Sequence, residues 1–231
     1  MDARKTDKPT IRFVVASRES GDRFFEHTAL GRSLRNFDVE IRLFEKNTKG
    51  LPSRYNQAID EARAKPAILV FVHDDVSLLG LFFKDEIARS LECFDIVGVV
   101  GNKRRLIGQP SWCHVDTSWK FDDRQYLSGA LGWGAGAEQF AVNDFGPSRQ
   151  EVKLLDGMIL IARSETLISS GLAFDEQFDF HLYDMDFCRQ AEAKNLKMGT
   201  WDISLVHASL GEYGTANWIA GYKKYLDKWT C

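Results

Sequence analysis

Residues 67–75 read Ala-Ile-Leu-Val-Phe-Val-His-Asp-Asp, an apolar run that ends in a histidine and two carboxylates. A short run this rich in branched and aromatic residues is typical of a strand that is covered on both faces in a parallel sheet. The polar triplet then lies at the carboxyl end of that strand, which is the edge where open α/β sheets bind ligands. The stretch therefore predicts an α/β fold with a ligand site at one edge of its sheet.

The sequence around this stretch alternates similar apolar runs with segments of helical length. Such alternation predicts a parallel sheet flanked by helices. Pro52 suits the first turn of one helix, which we expect to end near Ala64, and a second helix is predicted from Phe82 to Cys93. The other predicted strands of this half are Ile11 to Ala16, Val39 to Phe44 and Ile96 to Val100.

The pattern breaks down in residues 101–150, where glycines and tryptophans alternate with little periodicity. We interpret this segment as an insertion or a long mobile loop, with an unrecognised β-meander as the alternative. After it we predict a strand at Leu154 to Ala162, a helix at Ser164 to Ser170 closed by Gly171, and a helix from Asp184 to about Lys194. The amphipathic tail, Trp218 to Trp229, is expected to dock on the core, with a peripheral membrane contact as the alternative.

Composition narrows the class of protein. The 231 residues are 44% hydrophobic and carry a net charge of −3 from 30 basic and 33 acidic residues, so we expect one globular domain and no nucleic-acid partner. The four cysteines lack CxxC spacing and suit free thiols in a reducing cytoplasm. Residues 1–10 lack the apolar run of a signal peptide, so we expect a cytoplasmic protein, with the inner face of the membrane as a peripheral location.

The triplet His73-Asp74-Asp75 carries the strongest chemical signal. In an extended chain, His73 and Asp75 point to one side and Asp74 to the other. Hard cations such as Mg²⁺ are held by one or two carboxylates together with substrate phosphates, and an imidazole ligand favours Mn²⁺. In the alternative interpretation, the two aspartates cap a following helix.

Two later features add candidate groups. At a predicted helix start, Asp186 can pair with Arg189, which leaves Asp184 free to act as a general base. The alternative for this cluster is a helix cap with a surface ion pair. His207 closes a short apolar run, and an isolated histidine in such a place is more often structural than a ligand.

The order of these features resembles the nucleotide-sugar glycosyltransferases of family 2 with the GT-A fold, and more narrowly short bacterial glycosyltransferase-like proteins with a His-x-Asp turn. The GT-A resemblance implies an α/β fold with a mixed, mostly parallel central sheet and helices on both faces. The resemblance covers most of residues 11–211. It rests on Phe13 to Ser17, Asn47 to Ala58, Phe71 to Val76, and the stretch from Asp156-Gly157 through His207.

The resemblance implies a role for each matching position. Asp75 matches the principal metal ligand, which His73 and His207 would complete around Mn²⁺ or Mg²⁺, and Asp184 matches the catalytic base. The positions that would contact the donor are Ala16, Ser17, Arg18, Glu45, Asn47, Arg54, Asn56 and Asp74. Those at the acceptor pocket would be Asp156, Gly157 and Trp133.

By this resemblance, residues 1–231 form a single domain, with a nucleotide-binding half at 1–100, the insertion or loop at 101–150, and an acceptor half with the C-terminal helix at 151–231. The implied activity is metal-dependent, inverting transfer from a nucleotide-diphosphate sugar to a saccharide or glycolipid hydroxyl in bacterial surface glycan or glycoconjugate synthesis. Pocket shape, which motifs do not encode, selects the sugar and the acceptor, and the motifs do not specify an oligomeric state.

Two rival functions stay open. The first is a nucleotide-sugar-binding module without turnover, because His73 replaces the family's usual first aspartate and Tyr183 replaces the usual glutamate before the base. The second is a metal-dependent nucleotidyltransferase, although Ser17 to Gly21 is a poor version of its glycine-rich, basic loop.

Overall fold

Two six-stranded β-sheets organise the part of the chain that the computed structural model describes, residues 9–35, 37–209 and 211–229. The strands are β1 (Ile11–Ala16), β2 (Glu40–Phe44), β3 (Ile68–Val72), β4 (Val76–Leu78), β5 (Ile96–Gly98), β6 (Val100–Asn102), β7 (Leu127–Gly136), β8 (Gln139–Gly146), β9 (Leu154–Leu155), β10 (Ile159–Arg163), β11 (Met198–Thr200) and β12 (Leu205–His207). The helices are α1 (Gly21–His27), α2 (Ala29–Leu34), α3 (Leu51–Glu61), α4 (Phe83–Cys93), α5 (Ser164–Ser170), α6 (Tyr183–Ala193) and α7 (Ala216–Trp229).

The first sheet has the strand order β11-β5-β10-β3-β1-β2. Strand β1 runs parallel to β2 and β3, β5 runs parallel to β11, and β10 is antiparallel to both of its neighbours. All five residues of β3 are buried, as its unbroken apolar sequence predicts. Helices α3, α4 and α5 pack against strands of this sheet, so the mixed, mostly parallel α/β architecture is confirmed.

The second sheet has the order β4-β12-β7-β6-β9, with β8 added on β7. The second sheet adjoins the carboxyl end of β3, because β4 follows β3 after only the His73-Asp74-Asp75 turn. The antiparallel pairing of β4 with β12 sets His207 opposite Val76. This pairing brings the end of β12 back to the carboxyl end of β3.

Two predicted strands are each divided between the sheets. The run from Ile96 to Val100 is β5 in the first sheet and the start of β6 in the second. The run from Leu154 to Ala162 is β9 followed by most of β10, and Asp156 makes the break because its Oδ1 accepts a hydrogen bond from the Met158 amide at 2.8 Å. Apolar periodicity continues through both breaks, since the residues on either side of each are buried.

Segment 101–150 contains ordered strands, so the expectation of a structureless loop is wrong for residues 127–146. There β7 and β8 form an antiparallel hairpin, which is nearer to the β-meander alternative. Gly129 and Gly134 take φ values of +92° and +157°, and a Cβ at either position would lie within 2.3 Å of a backbone oxygen. Because glycine has a low strand propensity, these residues do not predict a strand from the sequence. They nevertheless allow the close backbone approach that the pairing of β7 requires.

Helix ends and the tail follow the sequence signals. Gly171 closes α5 in the left-handed conformation, with φ of 62°. In α7, Trp218 and Tyr225 are buried, so the tail docks on the domain. No described helix combines the length and the apolar character that a membrane crossing needs. Cys93, Cys113 and Cys188 are free thiols, whereas Cys231 lies outside the described residues.

Candidate active site

The centre of the site is a cluster of His73, Asp75 and His207. One nitrogen or oxygen atom from each side chain lies within 4.8 Å of the other two. The fold builds this cluster from the end of β3 and the end of β12, and the Ala208 amide donates to the Asp75 carbonyl at 3.1 Å. The next element after the turn is strand β4, so Asp74 and Asp75 do not cap a helix as the alternative interpretation supposed.

Two atoms of the cluster are buried without a hydrogen bond. Asp75 Oδ1 and His207 Nε2 lie 3.3 Å apart, close enough for an ion pair, yet neither has a hydrogen-bond partner among the described residues. A buried polar atom without a hydrogen bond lowers the stability of the fold by about 1–3 kcal/mol, so its presence calls for a structural explanation. A shared divalent cation supplies one, because ligands about 2.1 Å from a single ion lie about 3–4 Å from one another. The residues present therefore fit a metal ion.

The pKa shifts of His73 and Asp75 favour the protonation states in which these side chains can bind a metal, a neutral imidazole and a charged carboxylate. Burial lowers the pKa of His73, and the nearby His207 lowers it further, so this imidazole is neutral at pH 7. Burial alone would raise the pKa of Asp75, but the neighbouring histidines lower it overall and keep the carboxylate charged. Burial alone would lower the pKa of His207, whereas its contact with Asp75 raises it. The contact with Asp75 thus favours a protonated His207, and a cation bound between Asp75 and His207 would displace that proton.

Asp74 points away from this cluster, as strand alternation predicts. Its Oδ2 accepts a hydrogen bond from the Ser17 hydroxyl at 2.5 Å. Ser17 follows β1 directly, and its carbonyl accepts from the Asn47 amide at 2.8 Å. The loops after β1, β2 and β3 are thereby joined at one edge of the sheet.

Most of the predicted donor positions lie on these joined loops. Asn47 Oδ1 accepts from Arg54 Nε at 2.8 Å, and Glu45 accepts from the Gly21 amide at 2.5 Å. Ala16 ends β1, and Arg18 beside Ser17 is exposed. Asn56 does not join this group, because its amide group bonds both the carbonyl and the amide of Phe174.

A second polar centre adjoins the first at the start of α6. The Tyr183 hydroxyl contacts His73 Nε2 at 2.9 Å and donates to the Gly157 carbonyl at 2.7 Å. Asp184, the next residue, accepts from the Gly157 amide through Oδ2 at 3.1 Å. The metal-ligand cluster and the candidate base are thus connected by hydrogen bonds that run from His73 to Tyr183, from Tyr183 to Gly157, and from Gly157 to Asp184.

Asp184 has the ionisation that a general base requires. Burial and the negative charge of nearby Asp156 raise its pKa to about 7. A base with a pKa near the working pH combines a large deprotonated fraction with enough basicity to accept a proton. Asp156 also influences both His73 and His207 electrostatically, so one carboxylate acts on both centres.

One other predicted contact comes out differently, and Trp133 lies beside the cluster. Asp186 does not pair with Arg189, since it is buried in α6 and bonds Lys228 Nζ at 2.8 Å and Trp229 Nε1 at 2.7 Å. The charged partner comes from α7, and on α6 itself the neighbour that bonds Asp186 is Gln190, whose Nε2 donates to Oδ2 at 2.7 Å. Trp133 lies on β7 at the register position of His207 on β12, and it is partly exposed.

One contact of the site was not predicted from the sequence. Trp112 is buried and donates from Nε1 to Asp156 Oδ2 at 2.6 Å. It lies within a segment without periodicity, 44 residues from its partner. No spacing in the sequence indicates that contact.

Comparison with known families identifies the chain's relatives. Residues 35–220, which are most of the chain, match the sequence profile of the glycosyltransferase-like family. The chain belongs to the glycosyltransferase-like family. This match confirms the resemblance drawn from the sequence, and the protein is a glycosyltransferase of the family 2 type. No curated protein matches its sequence.

One solved structure supports the fold of this glycosyltransferase. GalNAc-T7, crystallised with UDP, GalNAc and Mn²⁺, is 8% identical and superposes with a TM-score of 0.55 over 97% of this chain and 48% of its own. Its likeness confirms the GT-A fold, and this chain spans about half of that protein. S. aureus TarS 1-349 in complex with UDP is 11% identical, with a TM-score of 0.49 over 87% of this chain and 60% of its own. A197 from STIV is 14% identical, with a TM-score of 0.45 over 87% of this chain and 82% of its own.

Proposed function

We propose that this glycosyltransferase moves a sugar from a nucleotide-diphosphate donor to an acceptor hydroxyl, in a divalent-metal-dependent reaction that inverts the anomeric centre. The observation that carries the proposal is the pair of buried atoms Asp75 Oδ1 and His207 Nε2, which lie 3.3 Å apart at the carboxyl edge of the sheet and make no hydrogen bond to a described residue. The match to the family and the GT-A fold supply the context for that pair.

Asp75, His73 and His207 would hold the cation, which is Mn²⁺ or Mg²⁺. When bound, such an ion supplies charge neutralisation for a diphosphate leaving group. The mixed nitrogen and oxygen ligand set suits Mn²⁺ better than Mg²⁺, because imidazole is a poor ligand for Mg²⁺. The crystal structure of GalNAc-T7 with UDP and Mn²⁺ supports the same class of donor and ion.

Asp184 would act as the general base. As the acceptor oxygen forms its bond to the anomeric carbon and the bond from that carbon to the diphosphate oxygen breaks, Asp184 takes the hydroxyl proton. With one displacement, the new bond forms on the face opposite the leaving group. The Gly157 amide holds Oδ2 of Asp184 in place, and the pKa of about 7 lets the carboxylate accept the proton near neutral pH.

The two halves of the site would divide the substrates between them. We assign the nucleotide to residues 1–100, through the joined loops that carry Ser17, Asn47 and Asp74, and the acceptor to residues 151–231. Asp156, Gly157 and Trp133 would border the acceptor, which we take to be a saccharide or glycolipid of bacterial surface-glycan or glycoconjugate synthesis. Docking of α7 on the domain favours a structural role for the tail over membrane contact.

A thermal-shift screen tests the donor and metal together. Nucleotide sugars are added with Mn²⁺ or with EDTA, and a ligand that binds the native state raises the melting temperature. We expect at least one nucleotide sugar to stabilise the protein only with Mn²⁺. Stabilisation that is equal in EDTA would contradict a metal-bridged donor, and stabilisation by nucleoside triphosphates alone would favour the nucleotidyltransferase.

A further inference from the structure

The Tyr183 hydroxyl makes two hydrogen-bond contacts at once. It donates to the Gly157 carbonyl at 2.7 Å, and its oxygen lies 2.9 Å from Nε2 of His73. The side chain is buried, and its ring packs against those of Tyr55 and Phe174, each with a centroid distance of 6.0 Å. The hydroxyl is therefore held in one position by the core.

Counting protons fixes the state of the His73 ring. A phenol has a single proton, and the Gly157 carbonyl can only accept, so the proton of Tyr183 lies on that bond. The contact with His73 then needs a proton from the imidazole, and only an Nε2–H can supply it. A neutral imidazole with its proton on Nε2 carries a free lone pair on Nδ1.

We propose that Tyr183 is a positioning residue: it holds the proton of His73 on Nε2 and thereby makes Nδ1 the atom that this histidine offers to a divalent cation. The inference rests on the proposed function, since it assigns a role toward the metal of that same site. It explains a tyrosine where the resemblance leads one to expect a glutamate. A hydroxyl that accepts from the imidazole orients the ring, as the carbonyl or carboxylate partners of metal-bound histidines do.

The same residue connects the cation site to the base. Tyr183 is the first residue of α6, and Asp184 follows it directly. Gly157 accepts from Tyr183 through its carbonyl and donates to Asp184 through its amide. The orientation of a metal ligand and that of the catalytic base therefore depend on one turn of helix.

The tautomer can be read in the wild-type protein. In metal-free protein labelled with ¹⁵N at histidine, long-range ¹H–¹⁵N correlations show which ring nitrogen carries the proton, and loss of signals in His73→Gln assigns them. We expect His73 to be protonated on Nε2 alone. Protonation on Nδ1, or an even mixture of the two, would overturn the inference without any variant of Tyr183.

The second measurement is Mn²⁺ affinity, followed by the electron paramagnetic resonance of free Mn²⁺ during titration with the metal alone. Tyr183→Phe keeps the ring but removes the hydroxyl, and we expect binding to weaken about tenfold or more, as for other partners of metal ligands. The matched control is Tyr222→Phe, which removes a tyrosine hydroxyl that likewise donates to a glycine carbonyl, that of Gly108, outside the site. The control should bind as the wild type does.

The two measurements distinguish a failure of the metal site from a failure of the role assigned to Tyr183. If wild-type protein binds no Mn²⁺, the metal site itself is wrong, and the role of Tyr183 falls with it. If wild-type protein binds Mn²⁺ and Asp75→Asn weakens that binding, but Tyr183→Phe binds equally well or more tightly, only the role of Tyr183 is overturned.

Discussion

Asp75 Oδ1 and His207 Nε2 face each other at 3.3 Å, buried, and without a hydrogen-bond partner in the described part of the chain. The two residues are 132 positions apart in the sequence, and the pairing of β4 with β12 brings them together. Under the proposed function, a divalent cation would bind both atoms.

The first prediction concerns the effect of the metal on stability. We expect Mn²⁺ at about 100 times its dissociation constant to stabilise the wild-type protein by about 2.7 kcal/mol, because the ion binds only the folded state. His207→Gln should lose most of this stabilisation. The control is His27→Gln on α1, an exposed histidine outside the cluster, which should keep the full effect. Calorimetric melting with and without Mn²⁺ provides the comparison, and equal stabilisation of both variants would contradict the ligand assignment.

The second prediction concerns pH and activity. Because Asp184 must be ionised to accept a proton and has a pKa of about 7, kcat/KM should rise with pH and level off above neutrality. Asp184→Asn should lower kcat by about 100-fold or more while nucleotide binding persists. Initial rates across pH 5–9 test this expectation. An acid limb near pH 4, the ordinary value for a carboxyl group, would show that Asp184 is not the base.

The same ionisation predicts a pH dependence of stability. The folded pKa of Asp184 is raised above its unfolded value, so the folded state binds the proton more tightly than the unfolded state does. Its contribution to stability is therefore complete at low pH and is lost as pH rises toward 7, with a slope of about 1.4 kcal/mol per pH unit. Urea unfolding of the wild type against Asp184→Asn at pH 5 and pH 8 isolates this contribution. The variant should gain stability relative to the wild type at the higher pH, and a difference independent of pH would refute the shift.

The fourth prediction concerns Gly157. A Cβ at this position would lie 2.6 Å from the Tyr183 hydroxyl and 2.8 Å from Asp184 Cβ, so Gly157→Ala must push the start of α6 away from residue 157. We expect a loss of about 1–3 kcal/mol of stability together with a fall in activity. Gly80→Ala is the matched control, since nothing lies within 4 Å of its added Cβ. Equal unfolding midpoints and rates for the two variants would mean that Gly157 does not set the position of the base.

The fifth prediction concerns the contact between α7 and α6. Lys228 bonds Asp175 at 2.6 Å and the fully buried Asp186 at 2.8 Å. Lys228→Met leaves Asp186 without its cation, and we expect a loss of about 1–3 kcal/mol of stability and reduced activity, because α6 carries Asp184. Lys223→Met, exposed on the same helix, serves as the control. If the two variants unfold at the same urea concentration, the contact does not stabilise α6.

Much of the first sheet could be predicted from the sequence, since β3 is an unbroken apolar run, β1 is apolar apart from Arg12, and the polar turn after β3 marks the ligand edge. Alternation correctly separated Asp74 from His73 and Asp75. The hairpin of β7 and β8 could not be predicted in the same way, because its glycines serve close backbone approach and lack β-propensity. Contacts such as Trp112 with Asp156, or Lys228 with Asp186, join residues more than 40 positions apart, and their side chains show no periodicity that would reveal a partner.

The most direct test of the central claim is a calorimetric titration of nucleoside diphosphates, UDP first, into wild-type protein and into Asp75→Asn, each with Mn²⁺ and with EDTA. Our account predicts that one nucleoside diphosphate binds wild-type protein with Mn²⁺, and that the binding is lost in EDTA and in the variant. Binding of equal strength in all four conditions would contradict a cation held by Asp75 at the nucleotide site.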